Sequence, residues 1–137
     1  MFVSVADRDK RQLVLPIKRL SELGFEILAT AGTAGVLKRN GIVSTTVRKH
    51  SDGRGPAGEP TIVDLISAGE VDMVINTPNS QGARADGYDI RAATTAADKP
   101  LITTTQQLSA AVQGIEAQLA GPFDVHSLQE YVVTAGE

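Results

Sequence analysis

Short apolar blocks alternate along this chain with stretches of helical spacing. Phe2 to Val5 reads as a buried strand. Asp9 to Leu23 follows as a helix, with Leu13, Ile17 and Leu20 on one face and Gly24 as a stop. Pro16 falls inside it and should remove one backbone hydrogen bond and bend it. Phe25 to Ala29 is the second strand, and Gly32 to Asn40 the second helix, closed by Gly41. The β-branched run Ile42 to Arg48 predicts strand three. Ser51 to Pro60 holds three Gly and two Pro and predicts a loop. Thr61 to Ala68 is a short helix and Asp72 to Asn76 strand four. Thr77 to Gly87 is a second loop, Tyr88 to Ala97 a helix and Pro100 to Thr103 strand five. Thr105 to Leu119 is the last long helix, with Thr105 as its cap. The tail, Phe123 to Glu137, adds a short strand and a turn of helix, its last residues loose.

Such alternation implies an α/β fold: a mainly parallel five-stranded sheet with helices on both faces, a Rossmann-like three-layer arrangement. Ligands then bind at the carboxyl ends of strands, where strand order reverses. The loops there hold Ser4, Lys10, Thr30, Thr33, Lys49, Asn76, Thr77, Thr103 and Thr104. These are cations, hydroxyls and amides with few carboxylates, which suits a phosphorylated, sugar-bearing small molecule. The turn Thr30-Ala31-Gly32-Thr33 joins a strand to a helix. It offers free backbone N–H groups at a positive helix end, with Gly32 allowing close approach. Helix capping alone would account for it equally well. Composition by itself favours Arg8, Lys10, Arg11, Arg48 and Lys49 as solvated surface charges. Asn76-Thr77-Pro78-Asn79-Ser80 reads as a base- or sugar-reading segment or as plain turn chemistry.

The 137 residues fit one domain, 1–137, with 123–137 as its C-terminal tail. A net charge of −3 argues against general nucleic-acid binding. The absence of cysteine removes disulfides, thiol nucleophiles and thiolate metal sites, and fits a cytoplasmic protein. Met1 to Asp9 lacks a signal-peptide pattern, and no apolar run is long enough to span a membrane. His50 and His126, the only histidines, lack metal-ligand spacing, so no metal is expected. His50 reads as a loop residue or as an acid–base group near the pocket. No nucleophile–base pair, P-loop or dinucleotide fingerprint occurs.

Two segments carry a resemblance: Ser4-Val5-Ala6-Asp7-Arg8-Asp9-Lys10, and Leu23 to Ala34 with its Ala29-Thr30-Ala31-Gly32-Thr33 turn. A third, Asn76-Thr77-Pro78 followed by Gly82 to Ala93, is the most specific. Together they resemble the methylglyoxal-synthase-like domain family, most closely the C-terminal allosteric domains of carbamoyl phosphate synthetase large chains. The likeness runs from about Phe2 to Leu119 and includes Ser127 to Tyr131. It implies a regulatory domain, not catalytic by itself. Such domains bind UMP as inhibitor, and in some members IMP as activator, of an ATP-dependent, glutamine-hydrolysing ligase serving pyrimidine and arginine biosynthesis. The ligase's ATP and Mg or Mn would belong to halves outside this sequence, with no cofactor in this domain. The implied partners are the rest of the large chain, the glutamine-hydrolysing small chain and further copies through this domain. The resemblance places effector phosphate contacts on Lys10, Thr30, Gly32, Thr33 and Lys49, and a contact to the rest of the nucleotide on Asn76. Ser4, Thr77 and Pro78 are further candidates, although Pro78 stands where the family has a threonine.

Two departures stand out. The family's Ser-Gly-Arg after this segment is Asn79-Ser80-Gln81 here, and Gly55-Pro56-Ala57-Gly58 looks inserted after Lys49. The rival within the family is a lyase resembling methylglyoxal synthase, acting on dihydroxyacetone phosphate. Its catalytic aspartate falls near Glu59 or Pro60, and its Pro-His-Asp segment is missing. The purine-synthesis cyclohydrolase domain shares the Thr-x-Gly-Thr turn but not the Asn-Thr-Pro segment.

Overall fold

The computed structural model describes residues 1–78 and 84–134. The strands are β1 (Phe2–Ser4), β2 (Leu28–Ala29), β3 (Thr45–Thr46), β4 (Val74–Asn76) and β5 (Leu101–Ile102). The helices are α1 (Lys10–Glu22), α2 (Ala31–Arg39), α3 (Ile62–Ser67), α4 (Arg84–Ala96), α5 (Thr105–Ala120) and α6 (Leu128–Thr134). All strand pairs are parallel, in the order β3-β2-β1-β4-β5.

The period-two alternation of strand side chains divides the core. Val3, Ala29, Ile75 and Ile102 face one side and pack with Leu13, Ile17 and Leu20 of α1, Leu37 of α2, and Leu108 and Val112 of α5. Phe2 and Val74 face the other side and meet Ile62 and Ile66 of α3 and Ile90 of α4. Helices therefore cover both faces, as expected. Each fully buried Leu or Ile contributes about 1.5–3 kcal/mol through the water-exposed area it removes. The chain winds one way from β1 to β3, then crosses over to β4 beside β1. Right-handed crossovers place the later helices α3 and α4 on the opposite face.

Helix α1 continues through Pro16. Gln12, whose carbonyl loses its partner there, is exposed and open to water. The run Ile42 to Arg48 is strand only at Thr45–Thr46, where both residues are exposed on the sheet edge. Its β-branched residues express propensity for a pleated surface, but only two of them find a ladder. Arg48 adds an isolated bridge to Thr61. Helix α4 begins at Arg84, four residues before the predicted start, because the polar run ahead of Tyr88 hides its first turn. The loop expected over Thr77 to Gly87 is shorter accordingly. Among the described residues the tail holds α6 and no strand. The expectation for its last three residues, and the departure at Asn79-Ser80-Gln81, lie outside the described residues. Among the described residues no helix is long and apolar enough to cross a membrane.

Helix α3 is short, so its start needs a strong cap. Thr61 and Asp64 form a reciprocal capping box: the Thr61 N–H donates to Asp64 at 2.8 Å, and the Asp64 N–H donates to the Thr61 hydroxyl. The Thr61 amide, followed by the Arg54 guanidinium at 2.8 Å, holds the Asp64 carboxyl down at about 2. Because the folded value lies below the unfolded one, this stabilisation is present above pH about 4 and disappears as pH falls through about 2. Thermal melts followed by circular dichroism should therefore show Asp64→Asn melting lower than wild type at pH 7. That difference should shrink between pH about 4 and about 2; an unchanged difference across this window would contradict the assignment.

Candidate functional site

Strand order reverses at β1, whose neighbours β2 and β4 lead their chains away in opposite directions. A cleft of about 630 Å³ opens there, beyond the carboxyl ends of the strands. Its walls include Ser4, Lys10, Thr30, Gly32, Thr33, Lys49, Asn76, Thr77 and Pro78. The fold thus brings these nine residues to one place, whereas Thr103 and Thr104, the other strand-end residues singled out in the sequence, cap α5 through Gln107 and do not line the cleft.

One wall is the start of α2. Thr30 is its N-cap in extended backbone, but its hydroxyl makes no cap bond and lies 3.4 Å from Ser4 Oγ. The first intrahelical bond runs from the Ala34 N–H to the Thr30 carbonyl. The amides of Ala31, Gly32 and Thr33 are therefore the outward-facing donors at the positive helix end. Thr33 is 1% exposed, and its hydroxyl has no hydrogen-bond partner among the described residues. A buried hydroxyl left so costs about 1–3 kcal/mol, which a hydrogen-bonding group entering the cleft would offset.

Two cations, Lys10 and Lys49, line the cleft with this end. A Cβ built on Gly32 would sit 3.3 Å from Lys10 Nζ, so glycine admits the ammonium beside the helix terminus. Like charges are thereby brought together, which an anion between them would relieve. The Asp7 carboxylate, 2.5 Å from Lys10 Nζ and 92% exposed, partly meets that need. The hydrogen bond and charge of Lys10 hold the Asp7 carboxyl below the usual carboxylate range. Lys49 precedes a 3-10 turn at His50–Asp52. Among the described residues it has no ion-pair partner.

The opposite wall comes from β4 and α4. Asn76 Nδ2 donates to the Ser4 carbonyl at 3.1 Å, and Arg91 Nη1 donates to Asn76 Oδ1 at 2.8 Å. The Thr77 hydroxyl accepts from the Ala6 N–H at 2.9 Å, so it ties the loops after β1 and β4 together. The Pro78 carbonyl accepts from Arg8 at 2.8 Å. Asp86 accepts from both the amide and hydroxyl of Ser51 at 2.8 Å, clipping the segment after Lys49 to α4.

Asp86, Gly87, Tyr88, Ile90 and Arg91 line the cleft too and escape the sequence reading. A glycine with an arginine one helical turn later, after a strand, is the signal that points to them. His50 lies outside the cleft wall, with Nε2 3.7 Å from Asp89 Oδ2. Gly55 to Glu59 closes on its own hydrogen bonds away from the cleft: the Gly58 N–H reaches the Gly55 carbonyl, and the Ala57 N–H reaches the Glu59 carboxylate. Among the described residues no cluster of acidic or histidine side chains could hold a metal.

A doubly wound parallel sheet with a polar cleft at its switch point defines the class: an open α/β domain. The model of the MGS-like domain matches residues 12–103, and the chain belongs to that family. It is 74% identical over 131 residues to the carbamoyl phosphate synthase large chain of Beutenbergia cavernae, covering 96% of this chain. It is 62% identical over 133 residues to that of Clavibacter sepedonicus, covering 97%, and 57% identical over 130 residues to that of Streptomyces coelicolor, covering 95%. The chain spans 12% of the length of each of these relatives.

Two substitutions test the cradle. Thr33→Val removes an unsatisfied hydroxyl at nearly constant shape. It should raise stability by about 1 kcal/mol while weakening inorganic phosphate binding, as read by melting temperature and calorimetry. Asp7→Asn removes the carboxylate that competes for Lys10, and should strengthen phosphate binding by about two- to fivefold. Weaker binding in that variant would show that Asp7 supports the site instead.

Proposed function

We propose that this chain is the effector-binding regulatory domain of a carbamoyl phosphate synthase large chain, taking a nucleoside monophosphate by its phosphate. UMP is the first candidate and IMP the second. The buried, unpartnered Thr33 hydroxyl carries this reading. It stands with the uncapped amides of α2 and with Lys10 and Lys49 in one cleft, a donor set that matches a phosphate dianion. Thr30, Thr33, Lys10 and Lys49 take the phosphate, Gly32 gives it room, and Asn76 takes the sugar or base. Ser4, Thr77 and Pro78 shape the floor between them.

The parent would be the cytoplasmic, ATP- and glutamine-dependent ligase that supplies carbamoyl phosphate to pyrimidine and arginine biosynthesis. Its catalytic halves and its small chain are the partners through which an effector here would act. Effector binding becomes regulation only if those partners differ in conformation between bound and free states. The lyase alternative is disfavoured by Glu59. That carboxylate is engaged by Ala57 within its own turn and does not line the cleft, whereas proton abstraction needs a base within reach of substrate.

Calorimetric titration with UMP, IMP, ornithine and inorganic phosphate should show saturable binding of a nucleotide and of phosphate. Lys49→Ala should weaken both by roughly ten- to a hundredfold, the loss of one charge-assisted contact. No saturable nucleotide binding by the chain would sink the effector reading. Formation of methylglyoxal from dihydroxyacetone phosphate would replace it with the lyase.

A further inference from the structure

Gly87 stands within α4, where glycine is among the least favourable residues. It has no positive φ, so turn geometry does not explain it. Its surroundings do. A Cβ there would lie 2.8 Å from Arg91 Nη1 and 3.5 Å from Asn76 Oδ1. Arg91, one helical turn later, folds back across this gap and donates to Asn76 Oδ1 at 2.8 Å.

The consequence falls on Asn76, which is 5% exposed. A carboxamide ordinarily has two orientations of nearly equal shape. Arginine has only donors, so Oδ1 must face Arg91. The Ser4 carbonyl has only lone pairs, so Nδ2 must face it, at 3.1 Å. Both ends are pinned, and one N–H and one lone pair remain for a ligand. Arg91 is half-buried in the cleft wall and has no carboxylate partner among the described residues.

We propose that Arg91 is the positioning residue of the cleft: it fixes the donor and acceptor pattern that Asn76 presents to the part of the ligand beyond the phosphate, and Gly87 is the clearance that lets it do so. The proposal rests on the reading of the cleft as a phosphate-ester site. It assigns discrimination between ligands to Asn76 on the β4–α4 wall, and anion capture to the α1–α2 wall together with Lys49.

The two walls separate experimentally. In the 137-residue chain, Arg91→Gln and Gly87→Ala should each weaken UMP binding by roughly tenfold, as expected for the loss of one charge-assisted hydrogen bond. Inorganic phosphate should bind within about twofold of wild type, because its contacts lie on the other wall. The double variant should lose little more than Arg91→Gln alone, since both changes break one interaction. The Asn76 side-chain amide resonances should move in both variants. If instead Gly87→Ala raises the melting temperature by helix propensity and leaves UMP affinity and those resonances unchanged, Gly87 is not a clearance and the proposal fails. Equal losses of UMP and phosphate would also overturn it, as a general disturbance of the fold. A wild-type chain that binds phosphate but shows no preference for UMP would overturn the division between walls. One that binds neither would overturn the phosphate-ester reading, and this proposal with it.

Discussion

The cleft depends on the pairing of β1 with β2 on one side and β4 on the other. A three-residue strand, Phe2–Ser4, satisfies backbone groups on both edges and sends Phe2 and Val3 into opposite cores. Because the crossover helices leave in opposite directions, a cleft opens beyond the strand ends at Ser4 and Asn76, which stand in register. The loops that follow must bridge this opening. They do so through the Ala6 amide on Thr77, Arg8 on Pro78 and Asn76 on Ser4. Polar groups drawn there to satisfy the backbone become the floor of a site.

Around that floor the charges are arranged against the trend of the whole chain. The net charge is −3, yet Lys10, Lys49 and the positive end of α2 converge. In the free protein this arrangement carries a standing cost, made of cation–dipole repulsion and a buried hydroxyl without a partner. Asp7 relieves only the first term, and from an exposed position where water screens the pair. A bound dianion would relieve both terms. A free-state cost and an affinity for an anion would be two aspects of one arrangement, which is why Thr33→Val is expected to move stability and phosphate binding in opposite directions.

Most of the α1–α2 wall is legible in the sequence. Hydroxyl residues three apart around Gly32 follow a strand, and lysines close two other strand-end loops. Parallel topology then compels these segments to share an edge. The β4–α4 wall is not legible in the same way. Asn76 can be picked out as an amide at a strand end, but its orientation is set by Arg91, fifteen residues on. That bond exists only because α4 begins before Tyr88 and places Gly87 beneath the arginine. Strand lengths are legible only as upper bounds. Ile42 to Arg48 has the composition of a strand, but a sheet edge gives it one neighbour, and the ladder closes after two residues.

Helix α4 connects the two ends of the cleft. Asp86 holds the amide and hydroxyl of Ser51, two residues after Lys49, while Arg91 holds Asn76. These attachments are five residues apart on one helix, which also packs through Ile90 against Phe2 and Val74. A ligand touching both Lys49 and Asn76 would therefore load one helix at two points. Its binding energy would favour whichever placement of α4 brings both contacts into reach. Such a preference is the differential affinity that any effector needs in order to shift an equilibrium. The outer side of α4 carries Tyr88, 67% exposed at the cleft rim. A shift of this helix would thus change the surface that the domain presents beside the cleft, without any strand of the sheet having to move.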